Sequence, residues 1–281
     1  MSNNYYYLVA GMTETAFDDN KLEFYPKELK SYLKESLKYD DYKQLANLYL
    51  QYDNQNVISY VSSKIKNDNK AVAFNDLANY SYDDIVALDK NSETVENEYI
   101  NGFFSLLHTD NDQHDKVVYW EKQLLKLYYE EMKMVSNKFI RTWFEFEFAL
   151  KNIQTAIICR NNNLNIEQQV FADDEIFQNL AKSNAKDFGL SVDVPYVDKL
   201  IAIYDEKDLQ KRERAIDMMK WNWIDENTVF DYFTFEAVVA IVLKTRIIER
   251  WIKVDVEEGK KLFVKLLEDM TANGNIDQPE K

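Results

Sequence analysis

The chain has 281 residues, 46% hydrophobic and 30% charged, which excludes a disordered chain and allows one large core or two modest ones. Five glycines and three prolines are far fewer than ordinary usage, so a fold built on sheets and tight turns is excluded, and long helices joined by Asn- and Asp-rich connections are expected. A net charge of −15 disfavours nucleic acid as a partner, because phosphate binding draws on a surplus of Lys and Arg.

In chain order, Tyr5–Gly11 is apolar and reads as a short strand or a first helical turn. Leu22 and Phe24 alternate after Asp18-Asp19-Asn20, the pattern of a small N-terminal β-hairpin. Tyr25-Pro26 opens a helix with Pro in its first turn, and Leu29, Leu33 and Leu37 mark its buried stripe. Asp40-Asp41 is expected to cap a second helix, with Leu45, Leu48 and Tyr49 inward. Asp53 or Asn54 is expected to restart a third, carrying Val57, Val61 and Ile65. A polar break follows at residues 66–70, and Ser81-x-x-Asp84 has the form of a capping box. Leu107–Asp115 is the strongest loop signal of the first half.

Two long helices come next. Val117, Trp120, Leu124, Leu127, Met132 and Val135 fall on one face of the first, and the second, about Phe139–Arg160, is apolar nearly all round and so expected at the centre of a core. Asn161-Asn162-Asn163 stops it. Asn165-x-x-Gln168 caps a short helix, Val194-Pro195 starts another, and Lys207–Trp223 reads as amphipathic. Thr228-x-x-Asp231 is expected to cap the last long helix to about Val254, with a separate helix at about Val256–Met270. The predicted fold is all-α, a multi-helix bundle. Its expected parts are an acidic region, residues 1–115, a second helical region, residues 116–271, and a tail at 272–281, the alternative being that the regions form one continuous domain. The first of these holds 20 acidic and 10 basic residues, and no Arg precedes Arg141. At an offset of 90 residues, Thr155, Ile157, Ile158, Arg160 and Glu167 match Thr245, Ile247, Ile248, Arg250 and Glu257. Such a match predicts an internal repeat of a long helix, a break after Arg and a shorter helix.

The chemistry-bearing residues are sparse. Gly11, Gly102, Gly189, Gly259 and Gly274 are too scattered to form a glycine-rich phosphate cradle, so neither a P-loop nor a dinucleotide-binding fingerprint is present. His108 and His114 lie with Asp110, Asp112 and Asp115 in one stretch, which reads either as a metal site or as a solvated loop. Its spacing fits no standard zinc or calcium loop, and no Ser sits in a Gly-x-Ser-x-Gly elbow. Glu145 and Glu147 are two apart on a helix and cannot face one another as an acid/base pair, so Glu147 is expected to pair inside the bundle. Cys159, the one cysteine, lies beside Arg160, which would lower its pKa, and beside Ile157 and Ile158, which favour a core thiol. One thiol forms no internal disulfide, in keeping with a reducing cytoplasm. Trp221, Trp223 and the Tyr5-Tyr6-Tyr7 start read as packing residues or as interface anchors. Gly259 inside a helix reads as a close-packing position. No catalytic, cofactor-binding or metal residue is assigned.

The N-terminus carries no positive charge before Lys21 and no cleavable apolar core, so a secretory signal is not expected. The apolar run Ala237–Leu243 is far shorter than the roughly 20 residues of a membrane span, so no direct insertion is expected.

Three stretches carry a resemblance. They are YYYLVAGM at 5–12 with FDDNKLEFYPKELKSYL at 17–33, FEFEFALKNIQTAIICRNNN at 144–163, and VLKTRIIERWIKVDVEEGKKLFVKLLEDM at 242–270. Within the last, Arg250-Trp251, Asp255 and Gly259-x-x-x-Phe263 are the sharpest part. Together they resemble an uncharacterised family of bacterial proteins encoded within V/A-type ATPase operons. The pattern AxKNIxTxIxxR at 149–160 is similar to the repeated helix of the C-type subunit of rotary ATPases, whose eukaryotic counterpart is the d-type subunit, although Gly11 stands where that family has an Arg. The resemblance implies an all-helical, three-repeat, non-catalytic protein that couples the central stalk to the membrane rotor ring in proton or sodium transport. An assembly factor or regulator of the same ATPase, or an unrelated helical scaffold, are the alternatives.

Overall fold

The computed structural model describes residues 4–67, 74–90, 97–110, 116–167, 169–170, 178, 180 and 182–273, with backbone alone given for 256–273. Its regular elements are helical: α1 (Tyr6–Ala10), α2 (Pro26–Ser36), α3 (Tyr39–Ala46), α4 (Leu50–Lys66), α5 (Tyr82–Lys90), α6 (Glu98–Thr109), α7 (Val117–Lys133), α8 (Lys138–Asn161), α9 (Val197–Tyr204), α10 (Leu209–Thr228) and α11 (Phe235–Asn273). The fold is all-α. Among the described residues the β structure amounts to one isolated antiparallel bridge between Asn4 and Thr234.

The expected N-terminal hairpin is therefore absent. Tyr6–Ala10 closes into a helical turn, and the following segment is held by side chains in place of a strand ladder. The Glu23 carboxylate accepts from the Thr13 amide (3.0 Å) and hydroxyl (2.8 Å), and Asp19 accepts from the Ala16 amide at 2.7 Å. With these carboxylates satisfying its amides, the segment needs no strand partner.

The chain forms two compact units, residues 1–32 with 218–281 and residues 33–217. On either side of residue 115, α6 and α7 pack against each other. In the second unit α7 also packs on α4 and α8, and α8 on α9. The second long helix is as buried as its sequence predicts: Ile140, Trp143, Phe144, Phe146, Leu150, Ile153 and Ala156 all lie in the core. At α9, the Tyr196 ring meets Phe146 edge-on at 5.3 Å, and burial pushes its hydroxyl up to about 12. In the first unit the start of α11 supplies a buried stripe of Phe235, Val238, Val239, Val242 and Leu243, with Ile224 and Trp221 of α10 also buried. Phe17 meets Trp221 edge-on at 5.5 Å, and Lys244 lies over the same indole at 4.7 Å while pairing with Asp225.

Several helix ends follow local chemistry. Ser81 and Asp84 form the reciprocal capping box, the Asp84 amide donating to Ser81 Oγ (3.2 Å) and the Ser81 amide to the Asp84 carboxylate (2.8 Å). Asn137 caps α8 by accepting from the Ile140 amide, and its own amide donates to Gln44 of the α3 region. Asp40 and Asp41 sit in the first turn of α3, where they complement the helix dipole, with Lys38 as the residue ahead of it.

Other boundaries differ from expectation. Asp53 does not restart a helix: α4 already begins at Leu50, continuing from the 3₁₀ turn Asn47–Tyr49. Asp53 is buried inside it because its carboxylate accepts from the Asn79 and Tyr80 amides and the Asn79 side chain. Thr228 closes α10, bonding back to the Ile224 carbonyl, and Thr234 precedes α11. The break expected near Val254 is absent, and α11 runs unbroken from Phe235 to Asn273. So the two copies of the proposed repeat differ in architecture. After Arg160, Asn162 caps α8 and Asn163 takes a left-handed conformation at φ 54°; after Arg250 come Trp251 and Ile252, which continue the helix. Residues 274–281 of the expected tail and Gln168 of the expected short helix lie outside the described residues.

Candidate functional site

Three features are candidates. The first is a cluster of four titratable side chains in the second unit, which sequence reading missed. Asp89 lies in the last turn of α5, near a helix end that disfavours a carboxylate. It is buried, and three donors meet it: the Tyr60 hydroxyl at 2.7 Å, Lys64 Nζ at 2.6 Å and His108 Nε2 at 3.0 Å. Burial alone would raise its carboxyl, but the hydrogen bonds from Lys64, Tyr60 and His108 outweigh that and hold it below the ordinary carboxylate range. Conversely, burial and the Asp89 charge push the Tyr60 hydroxyl well up. Lys64 and His108 sit at the C-terminal ends of α4 and α6, so the group ties three helix ends together. The four residues are spread over some fifty positions with no motif spacing, and only tertiary packing reveals them.

His108 thus serves Asp89. Asp110, of the same stretch, accepts from the Tyr119 hydroxyl at 3.0 Å, while Asp112, His114 and Asp115 lie outside the described residues. Among the described residues, no three His, Cys, Asp or Glu side chains are grouped to hold a metal ion.

The second candidate centres on Arg160. Its Nη2 donates to the Ser183 carbonyl (2.9 Å) and its Nη1 to the Ala185 carbonyl (2.9 Å) and, more weakly, Lys186 (3.3 Å). The guanidinium also covers the Phe188 ring at 3.6 Å. Phe188 and Gly189 have φ of 56° and 73°, the tight turn that this anchor holds. The guanidinium is thus committed to this loop. Burial raises the pKa of Cys159, which is a core thiol. Glu145 is exposed, and Glu147 lies beside Tyr129, whose hydroxyl is pushed up by burial and then by the Glu147 charge. No facing acid/base pair is formed by Glu145 and Glu147. Gly259 lies within α11, and the side chains around it fall outside the described residues.

The third candidate is a surface of the first unit. The Tyr5 amide donates to the Phe233 carbonyl at 2.6 Å, and the Tyr6 and Phe233 rings meet at 4.9 Å. With the Asn4–Thr234 bridge, these contacts tie α1 to the turn between α10 and α11. Both segments leave aromatic side chains in water: Tyr7 is 98% exposed, Phe230 84% and Tyr232 70%, with Tyr6 and Val229 more than half exposed. Burying one large apolar side chain stabilises by about 1.5–3 kcal/mol, which the isolated fold does not use at these positions. Scattered exposed hydrophobics are ordinary, but here exposed aromatics sit on two joined segments, which makes this surface the third candidate. Tyr6 and Tyr7 of the tyrosine start are thus on the surface, whereas Trp221 is core.

A family model described as "Protein of unknown function (DUF2764)" matches residues 1–274. No curated protein and no solved structure matches the chain.

Proposed function

The chain belongs to the DUF2764 family, and from that premise we propose that it is a non-catalytic companion of a V/A-type rotary ATPase, acting as a C/d-type coupler between central stalk and membrane rotor ring. The observation that carries an interaction role is the exposed aromatic surface on α1 and the 229–234 turn. The three sequence stretches that resemble proteins of V/A-type ATPase operons supply the machine. The all-helical fold, with a buried 24-residue α8 and a 39-residue α11, supports a mechanical role in which packed helices carry load. The polar clusters support it too, since Asp89 and Arg160 each bind helix ends or loop carbonyls of this chain. No described helix is long and apolar enough to cross a membrane, so attachment to the membrane would run through the ATPase.

A pulse-chase of the assembling complex tests the coupler role. The expected result is that labelled chain enters the complex and stays through maturation. Appearance in incomplete assemblies followed by loss would make it an assembly factor, and absence from both would overturn the ATPase reading.

A further inference from the structure

We infer that the aromatic surface formed by α1 and the 229–234 turn docks a basic, amphipathic helical segment of a partner protein. The inference rests on the chain being an interaction protein, but not on the partner being an ATPase. Its first support is apolar: Tyr7, Phe230 and Tyr232 are exposed beside the Tyr6–Phe233 contact. Its second support is charge. Residues 1–20 and 225–236, which contain the two segments, include no Lys or Arg. The first stretch carries Glu14, Asp18 and Asp19, and the second Glu226, Asp231 and Glu236, while Asp225 is already paired with Lys244. Within the turn, burial and then the neighbouring Glu236 charge raise the Asp231 carboxyl, against a Thr234 hydrogen bond that lowers it. An aromatic platform in an acidic setting favours a ligand with an apolar stripe flanked by Lys or Arg, and repels an acidic one. The same charge disfavours an anionic lipid surface and a second, equally acidic copy of this chain.

The test uses the full chain and three labelled probes: a synthetic Leu/Lys amphipathic helix, its Leu/Glu counterpart, and zwitterionic phosphatidylcholine vesicles. The Leu/Lys peptide is expected to bind, with affinity falling as salt rises. Tyr7→Ala/Phe230→Ala should weaken it by about tenfold or more, as for truncated interface aromatics. Asp231→Asn/Glu226→Gln should weaken it by roughly threefold and flatten the salt dependence. Circular-dichroism melts should match wild type for Tyr7→Ala/Phe230→Ala, because these side chains are exposed. Binding of the Leu/Glu peptide as strong as of the Leu/Lys peptide, uptake by the vesicles, self-association abolished by the Tyr7/Phe230 variant, or Leu/Lys binding unchanged in both variants would each overturn the inference. Failure here with ATPase components still co-purifying would sink the docking chemistry alone; Leu/Lys binding without ATPase association would sink the functional reading alone.

Discussion

Asp89 shows how a single buried carboxylate joins three helices. Its partners Lys64 and His108 are each 47% exposed, so water screens part of their attraction, and Asp89→Asn is expected to cost about 1–3 kcal/mol in urea denaturation. The pH dependence has a definite sign. A carboxyl held low in the folded state contributes stability that is present above its unfolded pKa of about 3.9 and is lost as pH falls through the lower folded value. The difference between wild type and Asp89→Asn should therefore shrink in acid below about pH 4; a difference constant down to about pH 2, below the usual carboxylate range, would contradict the cluster. Arg160 is a second test at this scale. A Lys cannot reproduce the fork that reaches carbonyls of Ser183 and Ala185, so Arg160→Lys should cost about 1–2 kcal/mol and speed amide hydrogen exchange in residues 183–190. Unchanged protection would show that the loop holds without it. Neither role was legible beforehand. Cys159 could be read as a core thiol from Ile157 and Ile158, but the carbonyls that Arg160 binds lie 23 or more residues away, and a donor's distant partner leaves no local trace.

The helices themselves were largely legible, because each declares its buried face through spacing. Leu29, Leu33 and Leu37 are buried as their period required, and the Ser81–Asp84 box and the Asn stop after Arg160 mark ends by chemistry that acts over a few residues. The misses came where tertiary contacts overruled local signals. Asp53 looks like a cap, yet it is inside α4 because loop amides at Asn79 and Tyr80 reach it. Thr228 looks like the cap of the last helix, yet it continues the preceding one. Among the glycines, Gly102 lies inside α6, and a Cβ there would meet nothing within 4 Å. Gly102→Ala should accordingly stabilise the protein by about 0.5–1 kcal/mol, seen as a raised urea midpoint; a lowered midpoint would show that the site does not tolerate the methyl group.

For the whole molecule, composition foretold an all-helical chain, since five glycines and three prolines leave little else possible at this length. It did not foretell how the chain divides. The first unit gathers two stretches far apart in the sequence, residues 1–32 with 218–281, and a linear reading of charge along the chain has no means of seeing that union. The exposed aromatic surface arises from it, because Tyr5–Tyr7 gains its setting only when tied to Phe233. The tyrosines were recognisable as candidates, but whether they faced core or water was decided by the fold.

The most direct test of the coupler role is an affinity purification of the tagged full chain from its native cells, with wild type and Tyr7→Ala/Phe230→Ala run side by side and the bound proteins quantified by mass spectrometry. V/A-type ATPase components, including those of the stalk or rotor ring, are expected in near-equal molar amount with wild type, and a marked loss of them with the double variant. Recovery of wild-type chain free of ATPase components, under conditions that keep the ATPase itself intact, would contradict the coupler role.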